Sequence, residues 1–164
     1  MPIRILFLPG KDLQYALNCM DIGDFIAFSL CSKRTRNLAK SSNRKIDSII
    51  ADVYQNFTCI EIRPSKVQRF QSDPNALFIY LHFSNPWIQL DRKNGIEVWR
   101  KQEFTQSDWI AHILSIFKGS VIEKLGISDV CPVSYLDNVQ KIIPKCNKLE
   151  ISEKCSAELT KRRF

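Results

Sequence analysis

The chain has few of the residues and segments that mark several protein classes. Its 164 residues include only 5 Gly and 7 Pro, which excludes collagen-like and low-complexity architectures. Nowhere do about 18 apolar residues run together, so no membrane-spanning helix is predicted. The apolar start before Pro9 is too short for a signal peptide, and no small-residue cleavage site follows it. We therefore expect a cytoplasmic or nuclear protein without a membrane partner.

Metal sites and disulfide frameworks also lack their usual sequence patterns. No two cysteines form a C-x-x-C pair, and His82 and His112, the 2 histidines, are 30 residues apart. Zinc sites are typically built from closely spaced Cys and His ligands. We predict no metal and no cofactor. The cysteines are expected to be free thiols in a reducing compartment: Cys19, Cys31, Cys59, Cys131, Cys146 and Cys155.

Catalytic motifs are missing as well. The sequence has no phosphate-binding glycine loop, no G-x-S-x-G elbow, no H-E-x-x-H helix and no carboxylate pair at a spacing useful for catalysis. His82 lies in an apolar strand pattern and His112 at the edge of an apolar helix face, where a structural role is expected of both. We predict that the chain is not an enzyme.

The composition that remains is that of a folded, basic chain. Hydrophobic residues make up 45%, which is enough for a buried core, and Lys and Arg exceed Asp and Glu by 24 to 17. Nucleic-acid binding requires such charge. It stays open as an alternative function, although no recognised nucleic-acid motif is present. Six of the cations cluster in the first third of the chain: Lys33, Arg34, Arg36, Lys40, Arg44 and Lys45.

The first forty residues predict three short helices. Leu13, Leu17 and Met20 share one face of a helix over 11–20. Asp24 is the predicted N-cap of a second, largely apolar helix, and Ser32 that of a third, basic helix over 32–40. Three such helices are too few to bury a core by themselves. Either the rest of the chain or a partner must therefore cover their apolar faces, and we expect a foreign helix to do so.

These residues resemble the F-box. The similarity covers about residues 5–45, from Leu8-Pro9 to Ser32-Lys33-Arg34, and 28–36 is similar to the version found in nematode F-box families. The resemblance implies an F-box domain at 1–45 that docks a Skp-type adaptor and, through it, a cullin. Asp12 and Ala16 depart from the family pattern, which has larger apolar residues there. By position, the adaptor-binding residues are Leu8, Pro9, Leu13, Leu17, Met20, Phe25, Phe28 and Leu30.

The middle of the chain, 46–104, reads as a β-rich connecting region. Strand patterns occur at 57–62, 76–83, 87–90 and 96–100. Asn94-Gly95 suits the positive φ angles of a tight hairpin turn between the last two. We predict a small antiparallel sheet.

After Phe104 the hydrophobic period changes. Thr105 and Asp108 have the spacing of a capping box, and a helix face follows it. The five-residue motif Lys-Leu-Gly-Ile-Ser at 124–128 is repeated 24 residues later as Lys-Leu-Glu-Ile-Ser at 148–152. Between the two copies of this repeated motif, residues 133–143 have a helix pattern. A helix and a short strand at this spacing fall in the range of leucine-rich repeats.

The C-terminal part, 105–164, resembles the F-box-associated type 2 region of nematode proteins. Residues 108–117 and 139–151 carry the similarity, and the charged sequence after Ser152 marks a shortened version. The predicted fold is α+β: a three-helix F-box, a small antiparallel sheet, and helix–strand units like leucine-rich repeats. The function so implied is a substrate-recognition subunit of an SCF ubiquitin ligase for an unidentified target protein. A nucleic-acid-binding module, or a shortened chain that binds the adaptor without delivering a target, is the alternative.

Overall fold

The computed structural model describes residues 5–64, 76–82, 87–92, 95–118, 120–128, 139–140, 143 and 145–152. Within them a 3-10 turn at Ile5–Phe7 precedes four α-helices and seven β-strands. The helices are α1 (Gly10–Cys19), α2 (Ile22–Leu30), α3 (Lys33–Ser41) and α4 (Gln106–Ile116). The strands are β1 (Ile46–Val53), β2 (Phe57–Pro64), β3 (Leu77–His82), β4 (Ile88–Arg92), β5 (Gly95–Trp99), β6 (Ile122–Ile127) and β7 (Cys146–Ile151).

Helix starts follow the side chains that accept hydrogen bonds from free backbone N–H groups. Two predicted caps are confirmed: Ser32 forms a capping box with Thr35 at α3, and Thr105 forms one with Asp108 at α4. The hydrogen bonds from Thr105 lower the pKa of the Asp108 carboxyl.

The predicted cap of α2 is wrong. Asp21, not Asp24, accepts hydrogen bonds from the backbone N–H groups of Gly23 and Asp24, at 2.8 and 3.3 Å. The helix therefore begins one turn earlier than expected. Asp24 lies in the first turn, where its carboxylate is favoured by the helix dipole.

The strands form one seven-stranded mixed sheet in the order β5-β4-β3-β2-β1-β6-β7. Neighbours from β1 to β5 are antiparallel, whereas β6 is parallel to β1 and β7 is parallel to β6. The predicted antiparallel sheet is thus confirmed only for part of the structure. The β-rich region and the C-terminal region contribute strands to the same sheet, with β1 in the position that joins them.

The two copies of the repeated motif lie in β6 and β7. Lys124 pairs with Lys148 and Leu125 with Leu149, so the two copies lie side by side in register. Most of the helix predicted over 133–143 lies outside the described residues; residues 139–140 are helical. Gly95 has φ +129°, a conformation that favours glycine, as the predicted hairpin turn requires.

The helices pack on one face of the sheet. Alternate residues of the strands, such as Ile49, Ala51 and Val53 of β1, form a continuous hydrophobic core with Phe25 of α2 and Trp109 of α4. The opposite face of the sheet carries the other alternate residues, which are half-buried or exposed. Among the residues described, no helix has both the length and the apolar character needed to cross a bilayer.

Candidate interaction site of the N-terminal helices

Helix α2 packs the three N-terminal helices against the core of the chain. Phe25 is fully buried, with its ring centroid 5.5 Å from that of Phe117, which directly follows α4. On another side of the ring, the guanidinium carbon of Arg44 lies 4.8 Å from the centroid. One of the two Phe side chains of α2 therefore belongs to the core of this chain.

Arg44 caps the C-terminal end of α1. Its Nη1 and Nη2 donate hydrogen bonds to the carbonyl oxygens of Leu17 and Met20, at 3.2 and 2.6 Å. These carbonyls are among those that a helix leaves without internal partners. Burial lowers the pKa of Arg44, although Asp21 opposes the shift. One cation of the predicted basic cluster is thus committed to the fold and not available to nucleic acid.

A buried polar pair joins α2 to α4. The hydroxyl of Ser29 donates to the carbonyl oxygen of Ile26 at 2.6 Å, so it accepts a hydrogen bond from Nε2 of His112 at 2.7 Å. Burial, together with the nearby cations Arg36 and Lys101, lowers the pKa of His112 to about 4. Because the pair is buried between two helices and the hydroxyl also bonds a backbone carbonyl, it is a structural link between α2 and α4.

A second link joins the start of α2 to the sheet. The guanidinium of Arg92, in β4, lies 2.8 Å from Asp24 and 3.6 Å from Asp21. Gly23 makes this approach possible, because a Cβ atom there would clash with the Arg92 guanidinium. The N-terminal helices are therefore fixed at both ends of α2, to β4 at its start and to α4 near its end.

The eight predicted adaptor-binding residues divide into three groups by exposure. Leu13, Leu17 and Phe25 are buried in the chain's own core, whereas Pro9 is exposed. The expectation that a foreign helix must cover these faces is wrong for the three buried residues, because they belong to the hydrophobic core of this chain. The remaining four are half-buried, packed against the core and partly open to solvent: Leu8, Met20, Phe28 and Leu30.

Two exposed aromatic residues of this region were not predicted. Phe7 is 78% exposed and Tyr15 is 74% exposed. Tyr15 lies between Leu13 and Leu17 in the sequence, off the apolar face of α1, so helical periodicity assigns it to the solvent side. A large aromatic ring on the solvent side of a helix indicates an interaction surface, which helical periodicity alone does not predict.

Comparison with known proteins detects an F-box domain at residues 5–47. No curated protein and no solved structure is significantly similar to the chain. F-box domains in general bind Skp-type adaptors and act as non-enzymatic parts of ubiquitin ligases. The matched residues contain the 3-10 turn, α1, α2 and α3. Within the described part of the chain, no cluster of side chains is suited to hold a metal ion.

Proposed function

We propose that the chain is the substrate-recognition subunit of an SCF-type ubiquitin ligase. Its F-box docks a Skp-type adaptor and so joins a cullin, while the sheet presents a target protein for ubiquitin transfer. The observation that carries this proposal is the F-box domain at 5–47, which keeps large apolar side chains on its surface. The chain itself acts by binding, since it raises the effective concentration of the target near the ligase.

The adaptor surface proposed here is revised from the sequence-based set. Phe7 and Tyr15 join Pro9 as its most exposed members. Large apolar residues that become buried on binding contribute most of the affinity of such interfaces. The half-buried members are Leu8, Met20, Phe28 and Leu30. Leu13, Leu17 and Phe25 support the surface from within.

The links between α2 and the rest of the chain favour a rigid receptor. The bonds of Ser29 to His112 and of Asp24 to Arg92 fix the F-box on α4 and β4. A target bound to the sheet would then stand at a fixed distance from the adaptor, which increases its effective concentration at the ligase. The assignment of the C-terminal part to a nematode-type F-box-associated region belongs to this proposal, and the parallel, in-register pairing of β6 with β7 is the observation that supports it.

The proposal is tested by titrating a purified Skp-type adaptor into the chain and measuring the binding by isothermal titration calorimetry. The double variant Phe7→Ala, Pro9→Ala is expected to weaken adaptor binding by about tenfold or more. Val121→Ala, which removes another exposed apolar side chain outside the F-box, is the matched control and should bind as the parent does. The proposal fails when the parent chain, shown to be folded, does not bind the adaptor.

A further inference from the structure

The two edge strands of the sheet differ in how they are protected against pairing with another chain. β7, at one end of the strand order, carries Lys148 with a 69% exposed side chain and directly follows the exposed Lys145. Lysines on an edge strand hinder the approach of a further strand, which would have to bury their charge. β5, at the other end, contains neither Lys nor Pro. The edge formed by β5, here called the β5 edge, therefore lacks this protection.

Two apolar side chains of β5 are exposed on the sheet face opposite the helices. Ile96 is 62% and Val98 is 50% exposed, and β-branched residues of this kind favour strand pairing. Among the residues that the structure describes, no strand lies beyond β5. An edge strand has one row of backbone N–H and C=O groups that its own sheet does not pair. The β5 edge therefore offers both backbone groups and apolar side chains to a further strand.

The one charged side chain of β5 is held within its own sheet. Glu97 alternates with Ile96 and Val98 and so lies on the face of the sheet that the helices cover. Its Oε2 accepts a hydrogen bond from Nε1 of Trp99 at 2.9 Å, and its Oε1 lies 3.5 Å from Nε of Arg92. A further strand at the β5 edge therefore need not supply a partner for this carboxylate.

A second copy of β5 fits this edge as an antiparallel neighbour related by a two-fold axis, and the side chains select the register. An axis at Glu97 would place two Glu97 carboxylates opposite each other, where like charges are destabilising. An axis at Ile96 would place Glu97 opposite Gly95, which has no side chain to contact. With the axis at Val98, the two Val98 side chains meet, and Glu97 of each copy lies opposite Trp99 of the other. The side chains therefore favour the axis at Val98.

The same register brings opposite charges together. Asp91 of β4 pairs with Ile96 of β5, and Arg100, which is exposed, continues the alternation of β5 by one residue. With the axis at Val98, Arg100 of the second copy lies on the other side of Ile96 from Asp91. Neighbouring strands are about 5 Å apart, so the long Arg100 side chain can pass over Ile96 to the Asp91 carboxylate. Neither Asp91 nor Arg100 forms an ion pair with any residue that the structure describes.

We propose that two copies of this chain associate through the β5 edge, antiparallel about a two-fold axis at Val98, so that their sheets continue as one. Backbone hydrogen bonds join the two β5 strands, Ile96 and Val98 become covered, and the Asp91–Arg100 ion pair forms twice by symmetry. This self-complementary order of apolar and charged side chains favours a second copy over an unrelated strand. Such a dimer presents two F-boxes in one assembly, which goes beyond the proposed function.

Sedimentation velocity of the full chain at increasing concentration, up to about 1 mM, measures the association. The parent is expected to show a reversible equilibrium between monomer and dimer. Val98→Lys places two like charges at the axis, which is expected to raise the dissociation constant of the dimer at least about tenfold. Val121→Lys is the matched control, because Val121 is also 50% exposed but lies directly before β6. The control should dimerise as the parent does, and circular dichroism checks that both variants are folded.

Charge reversal in the same experiment tests the register. Arg100→Glu places a carboxylate beside Asp91 of the other copy and is expected to raise the dissociation constant by about three- to tenfold. The double variant Asp91→Lys, Arg100→Glu restores opposite charges and should return the dissociation constant to within about threefold of the parent value. Lys11→Glu, at an exposed position of α1, makes the same change of net charge as Arg100→Glu and should have no effect.

The other occupants of the β5 edge are outcomes of these measurements. A parent chain that stays monomeric overturns the inference, and so does a dimer that Val98→Lys leaves intact or that the charge-reversed double variant does not recover. Assemblies that grow beyond the dimer also overturn it, since pairing of β5 with β7 of another copy does not close. Adaptor titrations on the same samples separate the two proposals. A chain that dimerises without binding the adaptor keeps this interface and loses the ligase role, whereas a monomeric chain that binds the adaptor does the reverse.

Discussion

The Nε2 atom of His112 lies 2.7 Å from the Ser29 hydroxyl, and the contact joins the F-box helix α2 to α4. Both residues are almost fully buried, at 2% and 1% exposure. A buried polar group costs free energy unless it is hydrogen-bonded. The pair therefore ties the position of the F-box to the protonation of one imidazole.

We expect the stability of the chain to fall when the medium is acidified through the titration of His112. The pKa of His112 is lowered to about 4 in the folded chain, against 6.5 ordinarily. Between these values the unfolded chain binds the additional proton. The contribution of neutral His112 is thus complete above pH 6.5 and is lost as the pH falls towards 4, by about 3 kcal/mol.

Urea unfolding at pH 7.5 and pH 4.5, on the parent chain and on His112→Gln, measures this loss. The variant removes the titrating group but keeps a hydrogen-bond donor. The difference in unfolding free energy between the two proteins should shrink on acidification, while shared carboxylate effects cancel. An unchanged difference at the two pH values contradicts the assignment.

A second prediction concerns the coupling of the pair. Ser29→Ala leaves the His112 N–H without its acceptor, which is expected to cost about 1–3 kcal/mol of unfolding free energy. His112→Phe with Ser29→Ala removes both polar partners and should cost less than the sum of the single changes. A double-mutant cycle by chemical denaturation measures the interaction. Strict additivity would show that the two side chains do not interact.

Local signals in the sequence predict the helices well. The caps Ser32 and Thr105 and the buried face of α1 follow from side-chain chemistry within one or two turns. The cap of α2 was predicted one turn late, because Asp21 and Asp24 both precede apolar residues and only the backbone path selects one. A helix cap that depends on nearby residues can thus be predicted from the sequence, whereas a choice between two equivalent carboxylates such as Asp21 and Asp24 cannot.

Long-range pairing was less accessible from the sequence. Strand β1 was not predicted, and it lies between β2 and β6, where it joins the antiparallel and parallel parts of the sheet. The repeated motif predicted two equivalent units, yet only the structure shows that the strands β6 and β7 of these units pair in register. In the candidate site, helical periodicity identified Leu13 and Leu17 as apolar face but gave no sign of what covers them. Both residues belong to a core that also contains residues far along the chain.

A third prediction addresses the two glycines that differ most in surroundings. A methyl group on Gly126 would clash with the Asp52 carboxylate, whereas Gly10, at the start of α1, has open space around it. Gly126→Ala is expected to lower the unfolding free energy by about 1–3 kcal/mol. Gly10→Ala should leave it unchanged or raise it by up to about 1 kcal/mol. Thermal and urea unfolding of both variants checks the contrast, and equal effects would contradict it.

A fourth prediction concerns the last strand. β7 pairs with β6 in register, and the backbone N–H of Ser152 donates to the carbonyl oxygen of Ile127 at 3.1 Å. Amides of β7 that face β6 should therefore exchange with solvent more slowly than those of Gln55 and Asn56, in the exposed turn between β1 and β2. Native-state hydrogen exchange measures this. Fast exchange throughout β7 would favour a chain that occupies the adaptor without delivering a target.

The division of the predicted adaptor residues gives the fifth prediction. Leu17 is 2% exposed and belongs to the core, so Leu17→Ala should lower the unfolding free energy by about 2–5 kcal/mol. Phe7→Ala removes a side chain that faces solvent, so stability should change by no more than about 0.5 kcal/mol. Adaptor binding is expected to show the opposite order, provided that it is measured where both variants are folded. Loss of adaptor affinity in Leu17→Ala alone, at unchanged stability, would place Leu17 in the interface and not beneath it.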